Sequence, residues 1–255
     1  MDRQTGLRGS LARTRRQRQA SPLAVAPTAL ASMAASGSAE ALVINASYDS
    51  SVNSAPAGFG SAFQTAVNFF QSTFTDPITI NIKVGWGEIG GSAIASGALG
   101  ESQTYLAGYY SYNTVRNAMI RDARPSADWT AVASLPPSDP TGRRSELMST
   151  AEAKALGLLT YNGTDGFVGF DKTASWTFSG AAPGKFDFVA VAEHEISEVL
   201  GRIADLGGIG GTLDPLDLFR YSAPNTRALS GRQWPIFFDR WRLHQLEHLQ
   251  RCRRR

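Results

Sequence analysis

This sequence predicts an α+β fold. Three observations carry that expectation: a helical stripe of aromatic residues, strands with one alternating apolar face, and an irregular order of the two along the chain. The stripe is Phe59, Phe63, Val67, Phe70 and Phe74, spaced so that all fall on one side of a helix. Ile78, Ile80, Ile82 and Val84 alternate with Thr79, Asn81 and Lys83, which gives a strand one buried and one polar face. Helices and strands do not alternate regularly, so a mixed arrangement fits better than a doubly wound parallel sheet.

Folded sequence begins at Leu42-Val43-Ile44, a short strand. The aromatic helix follows, and Pro77 stops it. Beyond the Ile78–Val84 strand, residues 85–100 are rich in Gly, Ala and Ser and read as a long loop. A helix is expected over 112–122, and 125–144 is turn-rich. Ser149-Thr150-Ala151-Glu152 has the spacing of a capping box and opens a short helix to Leu156. Residues 163–171, with Phe167, Val168 and Phe170, form a further strand. The last regular element is a helix over 186–202, entered through the apolar run from Phe186 to Ala192.

The chain has 255 residues, 42% of them hydrophobic and 18% charged, enough apolar sequence for a substantial core. No run approaches the roughly 18 apolar residues of a membrane-spanning helix. The single cysteine, Cys252, excludes an intramolecular disulfide and a thiolate zinc cluster. Basicity is confined to the ends. Residues 1–19 hold six Arg against one Asp, and 231–255 hold seven Arg against one Asp and one Glu. The 12 basic and 19 acidic residues between them leave a net charge of −7, so no basic face suits nucleic acid.

Residues 1–41 read as a leader: arginines, then an Ala/Ser/Pro stretch, then Ala39-Glu40-Ala41 as a small-residue cleavage pattern. That order predicts export. Residues 42–230 form one domain, and 231–255 are a basic tail. In the tail His244, His248 and Cys252 fall four residues apart, a metal-capable stripe if helical. A frameshift explains the tail better. With one choice of synonymous codons, 239–253 read in the next frame becomes a Gly/Asn/Thr-rich stretch, and Trp241-Arg242 yields a Gly codon there with any synonym.

Chemistry concentrates in His194-Glu195-Ile196-Ser197-Glu198-Val199-Leu200-Gly201-Arg202. On a helix, Val189, Ala192, Ile196, Val199 or Leu200, and Ile203 make the core stripe, while Val191, His194, Glu195, Glu198 and Arg202 make the other. His194 and Glu198, four apart, meet on one face, and both types ligate zinc. Glu195, beside the first ligand, is placed to reach a metal-bound water. This is the spacing of H-E-x-x-H with Glu198 in place of the second His. A carboxylate there weakens the metal's Lewis acidity and hardens the site, so Mn²⁺ and Fe²⁺ become competitors. The plain alternative is a solvated acidic helix face. The buried entry of the helix argues against it, because buried charge needs partners.

That nine-residue segment, followed by Pro215-Leu216-Asp217-Leu218-Phe219-Arg220-Tyr221-Ser222, resembles a family of predicted secreted bacterial metalloproteases that read H-E-I-S-E-V-x-G-R, related in pattern to the zincins. The resemblance covers roughly 42–230. It implies a zincin-like α+β catalytic domain with a mixed sheet and an active-site helix, bound Zn²⁺, a peptide or protein substrate, and secretion. Carried over by position, His194 and Glu198 are ligands and Glu195 is the general base. The longer zincin pattern has Gly at 201, as here, and then His or Asp where this chain has Ala204. The third ligand then falls to Asp205, Asp214 or Asp217, and Asp217 is favoured because the family-like second segment contains it. Tyr221 is an oxyanion-side donor or, more simply, a core residue. By zincin analogy the strand at 163–171 is an exposed edge that takes substrate by strand addition.

The implied reaction is metal-assisted peptide hydrolysis with Glu195 moving the proton. A non-catalytic exported surface or matrix protein, with a degenerate or structural metal site, is the rival that Glu198 and Ala204 favour. A non-haem iron enzyme with one His and two carboxylates is a third reading, and it leaves Glu195 without a task.

Overall fold

The computed structural model describes residues 41–124, 126–142, 144–203, 206, 211–230 and 236–237. Residues 1–40, expected to be a leader, and most of the tail, with His244, His248 and Cys252, lie outside them, as do Ala204 and Asp205. In chain order the first half holds β1 (Val43–Tyr48), α1 (Phe59–Thr73), β2 (Thr79–Trp86), β3 (Glu88–Ile89), β4 (Ser92–Ala93), β5 (Gly100–Thr104), β6 (Leu106–Tyr110) and α2 (Tyr112–Asp122). The second half holds α3 (Ser126–Ser134), β7 (Glu146–Ser149), α4 (Thr150–Ala155), β8 (Gly166–Phe170), β9 (Trp176–Thr177), β10 (Phe186–Asp187) and α5 (Phe188–Val199). Three short strands follow: β11 (Arg220–Ala223), β12 (Thr226–Arg227) and β13 (Ile236–Phe237). This is a mixed α+β fold. No helix among the described residues is long and apolar enough to cross a membrane.

The main sheet runs β1-β2-β8-β5. β1, β2 and β8 are parallel and β5 is antiparallel to β8. Parallel neighbours need a crossover, and α1 supplies it between β1 and β2. The predicted alternation is realised: Ile80, Ile82 and Val84 of β2 are fully buried. They meet the aromatic stripe of α1, where Phe59, Phe63, Val67 and Phe70 are buried; Phe74 caps the helix end and is exposed. Val168 and Phe170 of β8, and Phe188, Ala192, Ile196 and Val199 of α5, complete this core.

A second apolar cluster joins α2, α4, β7 and a 3₁₀ turn at Pro215–Phe219 through Tyr112, Val115, Leu135, Met148, Ala153 and Leu218. The predicted capping box of α4 is complete: Ser149 Oγ accepts from Glu152 N, and the Glu152 carboxylate accepts from Ser149 N. One buried ion pair connects this region to the sheet. Lys154 Nζ lies 2.7 Å from Asp165 Oδ2, with side chains only 6% and 0% exposed. Asp165 also accepts from Thr150 Oγ1 at 2.7 Å and from Asn81 N at 2.8 Å.

Several expectations need correction. The turn-rich segment 125–144 contains the helix α3, in which Val132 is buried beside an exposed Trp129. The loop at 85–100 holds the hairpin β3-β4, turned by Gly90 and Gly91 at positive φ. The strand expected as an edge at 163–171 is β8, which is internal; Gly-Phe-Val-Gly-Phe is buried on both sides, as an interior strand requires. The strands at the two edges of the sheet are β1 and β5, and β5 is the one beside β8. The apolar entry to the last helix is buried only in part, since Phe186 is 49% exposed and Phe188 fully buried.

Glu146 of β7 is fully buried, and neither of its carboxylate oxygens has a hydrogen-bond partner among the described residues. Burial pushes its pKa up to about 8; the nearby charges of Asp217, Asp139 and Asp214 add to this and Arg144 opposes it. The folded chain therefore holds a proton on Glu146 that the unfolded chain releases near 4.5. Stability contributed by this group is present below that value and is lost as pH rises toward about 8. Thermal melting should fall over that interval, and Glu146→Gln should flatten the fall; an unchanged pH profile in the variant would refute the assignment.

The ion pair gives a second expectation. Lys154→Met leaves the Asp165 carboxylate buried without its cation and should cost about 3 kcal/mol in denaturant unfolding. The double variant Lys154→Met/Asp165→Leu should recover part of that loss. A single-variant cost below about 1 kcal/mol would show that the hydrogen bonds from Thr150 and Asn81 suffice.

Candidate metal-binding and catalytic site

The site is built on α5, so its geometry starts with what fixes that helix. Asp187 is the N-cap, accepting from Val189 N at 3.0 Å. Phe188, the first helical residue, is fully buried in a cage of aromatic rings: Phe170 at 4.7 Å, Phe59 at 4.9 Å, Phe178 at 5.1 Å and Trp176 at 5.5 Å between centroids. Ala192, Ile196 and Val199 continue the buried stripe toward α1 and the sheet. The helix ends at Gly201, whose φ of 108° suits the left-handed turn after a helix. A side chain there would strike Glu152, whose Cγ and Cδ stand 2.3 Å from an ideal Cβ.

With the buried stripe fixed, His194 and Glu198 face outward together. His194 Nε2 lies 3.1 Å from Glu198 Oε1, with side chains 48% and 28% exposed. Two ligands of a tetrahedral zinc at about 2.0–2.1 Å stand roughly 3.3 Å from one another, so this pair matches two corners of such a site. Glu195 departs from the expected face. It is only 6% exposed, tucked under β5, where an ideal Cβ on Gly100 would come within 2.9 Å of its Cγ and Oε1.

Burial pushes the Glu195 carboxyl up to about 7; Glu198 and Glu101 add to this, and His194 and Arg202 oppose it. Glu198 moves the other way. Burial alone would raise it, but hydrogen bonds from His194 and Ser102 and the charges of His194 and Arg202 bring it below the usual carboxylate value. Two carboxyls three residues apart on one helix therefore have proton affinities shifted in opposite directions, Glu195 upward and Glu198 downward.

The sequence did not single out the contribution of β5. Ser102 Oγ donates to Glu198 Oε2 at 2.8 Å, and Thr104 Oγ1 donates to the Glu198 carbonyl at 3.1 Å. The signal was there: Ser102 and Thr104 stand two apart, the period of residues on one face of a strand. Arg202 folds back on the helix end. Its Nε donates to Ser197 Oγ at 2.6 Å, and its Nη2 lies 3.2 Å from the His194 carbonyl and 3.3 Å from Glu198 Oε1.

Asp217 belongs to the other cluster. It is fully buried in the 3₁₀ turn, accepts from Asp214 N at 3.1 Å and pairs with Arg220 at 3.4 Å. Asp214, also fully buried, is the cap of that turn. Tyr221 lies on β11, half-buried, with its hydroxyl 3.1 Å from Ser134 Oγ. Among the described residues no three His, Cys, Asp or Glu side chains converge closely enough to hold a metal, so the structure brings together His194 and Glu198 of the predicted ligands and does not bring Asp217 to them.

No family model, no curated protein and no solved structure matches this chain.

At Gly100 there is no room for a side chain between β5 and α5. Gly100→Val should push β5 away from Glu195 and Val191 and cost about 1–3 kcal/mol in chemical denaturation. Gly60→Ala, where nothing lies within 4 Å, serves as the control and should be neutral or slightly stabilising. Equal effects of the two substitutions would disprove the close seating of Glu195 beneath β5.

Proposed function

We propose that this chain is a secreted, metal-dependent peptidase of zincin-like fold, with His194 and Glu198 as ligands and Glu195 as general base. The observation that carries the proposal is the approach of His194 Nε2 to Glu198 Oε1 at 3.1 Å, beside a carboxyl buried under the edge strand. A nitrogen and a carboxylate oxygen suit zinc, with Mn²⁺ or Fe²⁺ as harder alternatives. With Asp214 and Asp217 engaged in the 3₁₀ turn, the third donor falls to Asp205, the remaining carboxylate named from the sequence.

A bound divalent ion supplies Lewis acidity toward a scissile carbonyl and toward water. Everything else is the work of the chain. Glu195 takes a proton from the attacking water and delivers it to the leaving amine. Its seat beneath β5 limits its rotamers and keeps solvent off one side. β5, the terminal strand of the main sheet, offers backbone groups to an extended peptide, a role the interior position of β8 denies to that strand. The mixed sheet with one antiparallel edge strand beside α5 supports the zincin-like reading without identifying it.

A second reading has a specific observation in its favour. Arg202 already lies on Glu198 Oε1, so the acidic face is neutralised by the chain itself. On that reading the protein is a non-catalytic exported surface or matrix component whose helix face is a stable polar network.

Elemental analysis of the purified full chain separates the two. The peptidase reading expects about one zinc per chain. It also expects His194→Ala or Asp205→Ala to lose that zinc while keeping a cooperative melt. Glu195→Gln should retain the metal and lower kcat/KM on peptide substrates by roughly 10²–10⁴. A folded wild-type chain with no more metal than His194→Ala would defeat the peptidase reading and favour the matrix one.

A further inference from the structure

The two oxygens of Glu198 are treated differently by their surroundings. Oε2 is tied to β5 by the hydroxyl of Ser102 at 2.8 Å. Oε1 is left facing His194 Nε2 at 3.1 Å, and it alone is shared with Arg202 Nη2 at 3.3 Å. Ser102 thus decides which oxygen is presented, and Arg202 decides what the presented oxygen meets. We propose that Arg202 is a resident cation that competes with the metal for Glu198 Oε1, and so sets the metal affinity of the site. The inference rests on the metal-site reading above and concerns its regulation.

The geometry explains why the competition is effective and why it is reversible. Arg202 stands on the turn that ends α5, next to Gly201, and its guanidinium reaches back along the helix. Two of its contacts, to Ser197 Oγ and the His194 carbonyl, hold the guanidinium without involving Glu198. A cation at a helix C-terminus is favoured by the unpaired carbonyls there, so the arginine has a place whether or not it touches Glu198. Its side chain is 46% exposed, so it can swing into solvent when a divalent ion takes the oxygen. An ion arriving between His194 and Glu198 must displace this contact, since two cations do not share one carboxylate oxygen without repulsion.

A purely structural role for Arg202 predicts the opposite sign. If the arginine only organised the helix end, removing it would loosen the ligands and weaken metal binding. If it competes, removing it strengthens binding. Zinc affinity of the full-length chain, measured by competition with a chromophoric chelator, reads that sign directly. The His194→Ala chain sets the background from His244, His248 and Cys252 of the tail.

Arg202→Gln should bind zinc about five-fold more tightly than wild type, the factor that corresponds to losing one exposed ion pair. Arg202→Lys, which keeps the charge, should stay near wild type. Ser102→Ala should weaken binding and Ser102→Thr should restore it, each with little change in melting temperature. Equal or weaker binding by Arg202→Gln, with wild type still binding zinc, overturns the competition and leaves the metal site standing. Binding by Arg202→Gln alone would make the arginine a block rather than a brake and would support the inference in its strongest form. No His194-dependent binding in any variant would fell the metal site and the inference together.

Discussion

The position of Phe188 is the constraint on which the rest of this structure depends. Its ring is enclosed by rings from α1, from β8 and from the segment that carries β9. Aromatic packing of this kind is directional, because edge-to-face and tilted contacts each admit a narrow range of angles. Fixing Phe188 fixes where α5 begins and how it is rotated. The rotation then decides that Ala192, Ile196 and Val199 face inward and that His194 and Glu198 face out. Glu195 falls between these two stripes and is closed over by β5. The polar chemistry of the site is thus positioned by an apolar contact two turns away, with Asp187 setting the first hydrogen bonds of the helix.

Much of the fold is legible in the residues, and the elements that were not legible have a common cause. The aromatic stripe, the Ile80–Val84 alternation and the Ser149–Glu152 box each carry their own local signal, and each forms as read. β5 carries almost none: Gly-Glu-Ser-Gln-Thr has little strand preference, and it is a strand because β8 offers it a partner. That strand supplies Ser102, Thr104 and the close approach of Gly100, so this side of the site rested on a two-residue spacing of hydroxyls with no apolar alternation to mark the segment as a strand. Asp217 illustrates the reverse case. Its place in a family-like segment suggested ligation, whereas an Asp three residues after another Asp around a proline is also the spacing of a self-capping turn. Sequence spacing alone does not separate those two uses of a carboxylate.

The electrostatics of the body follow one pattern at several places. Several carboxyl groups are buried, and they are managed in different ways. Asp165 is paired with a lysine, Asp217 with an arginine, and Glu146 is left to hold its proton. Glu195 and Glu198 divide between the last two strategies within one helical turn. Burial raises proton affinity, and a fixed hydrogen-bond donor or cation lowers it again. The chain uses β5 for both, covering Glu195 with a glycine and stabilising Glu198 with a serine.

The aromatic cage also has a consequence for the order in which the molecule assembles. Phe59 and Phe188 meet in space but stand about half the chain apart in sequence, and Phe170 of β8 packs against both. Contacts of such long sequence separation form late and slowly, because the loop they close is entropically costly until other contacts shorten it. During synthesis β2 follows α1 directly and covers part of its apolar stripe, while the part that meets α5 waits for that helix to emerge. α5 is the last α-helix among the described residues, so the element that carries the site is also the one whose docking on α1 closes this core.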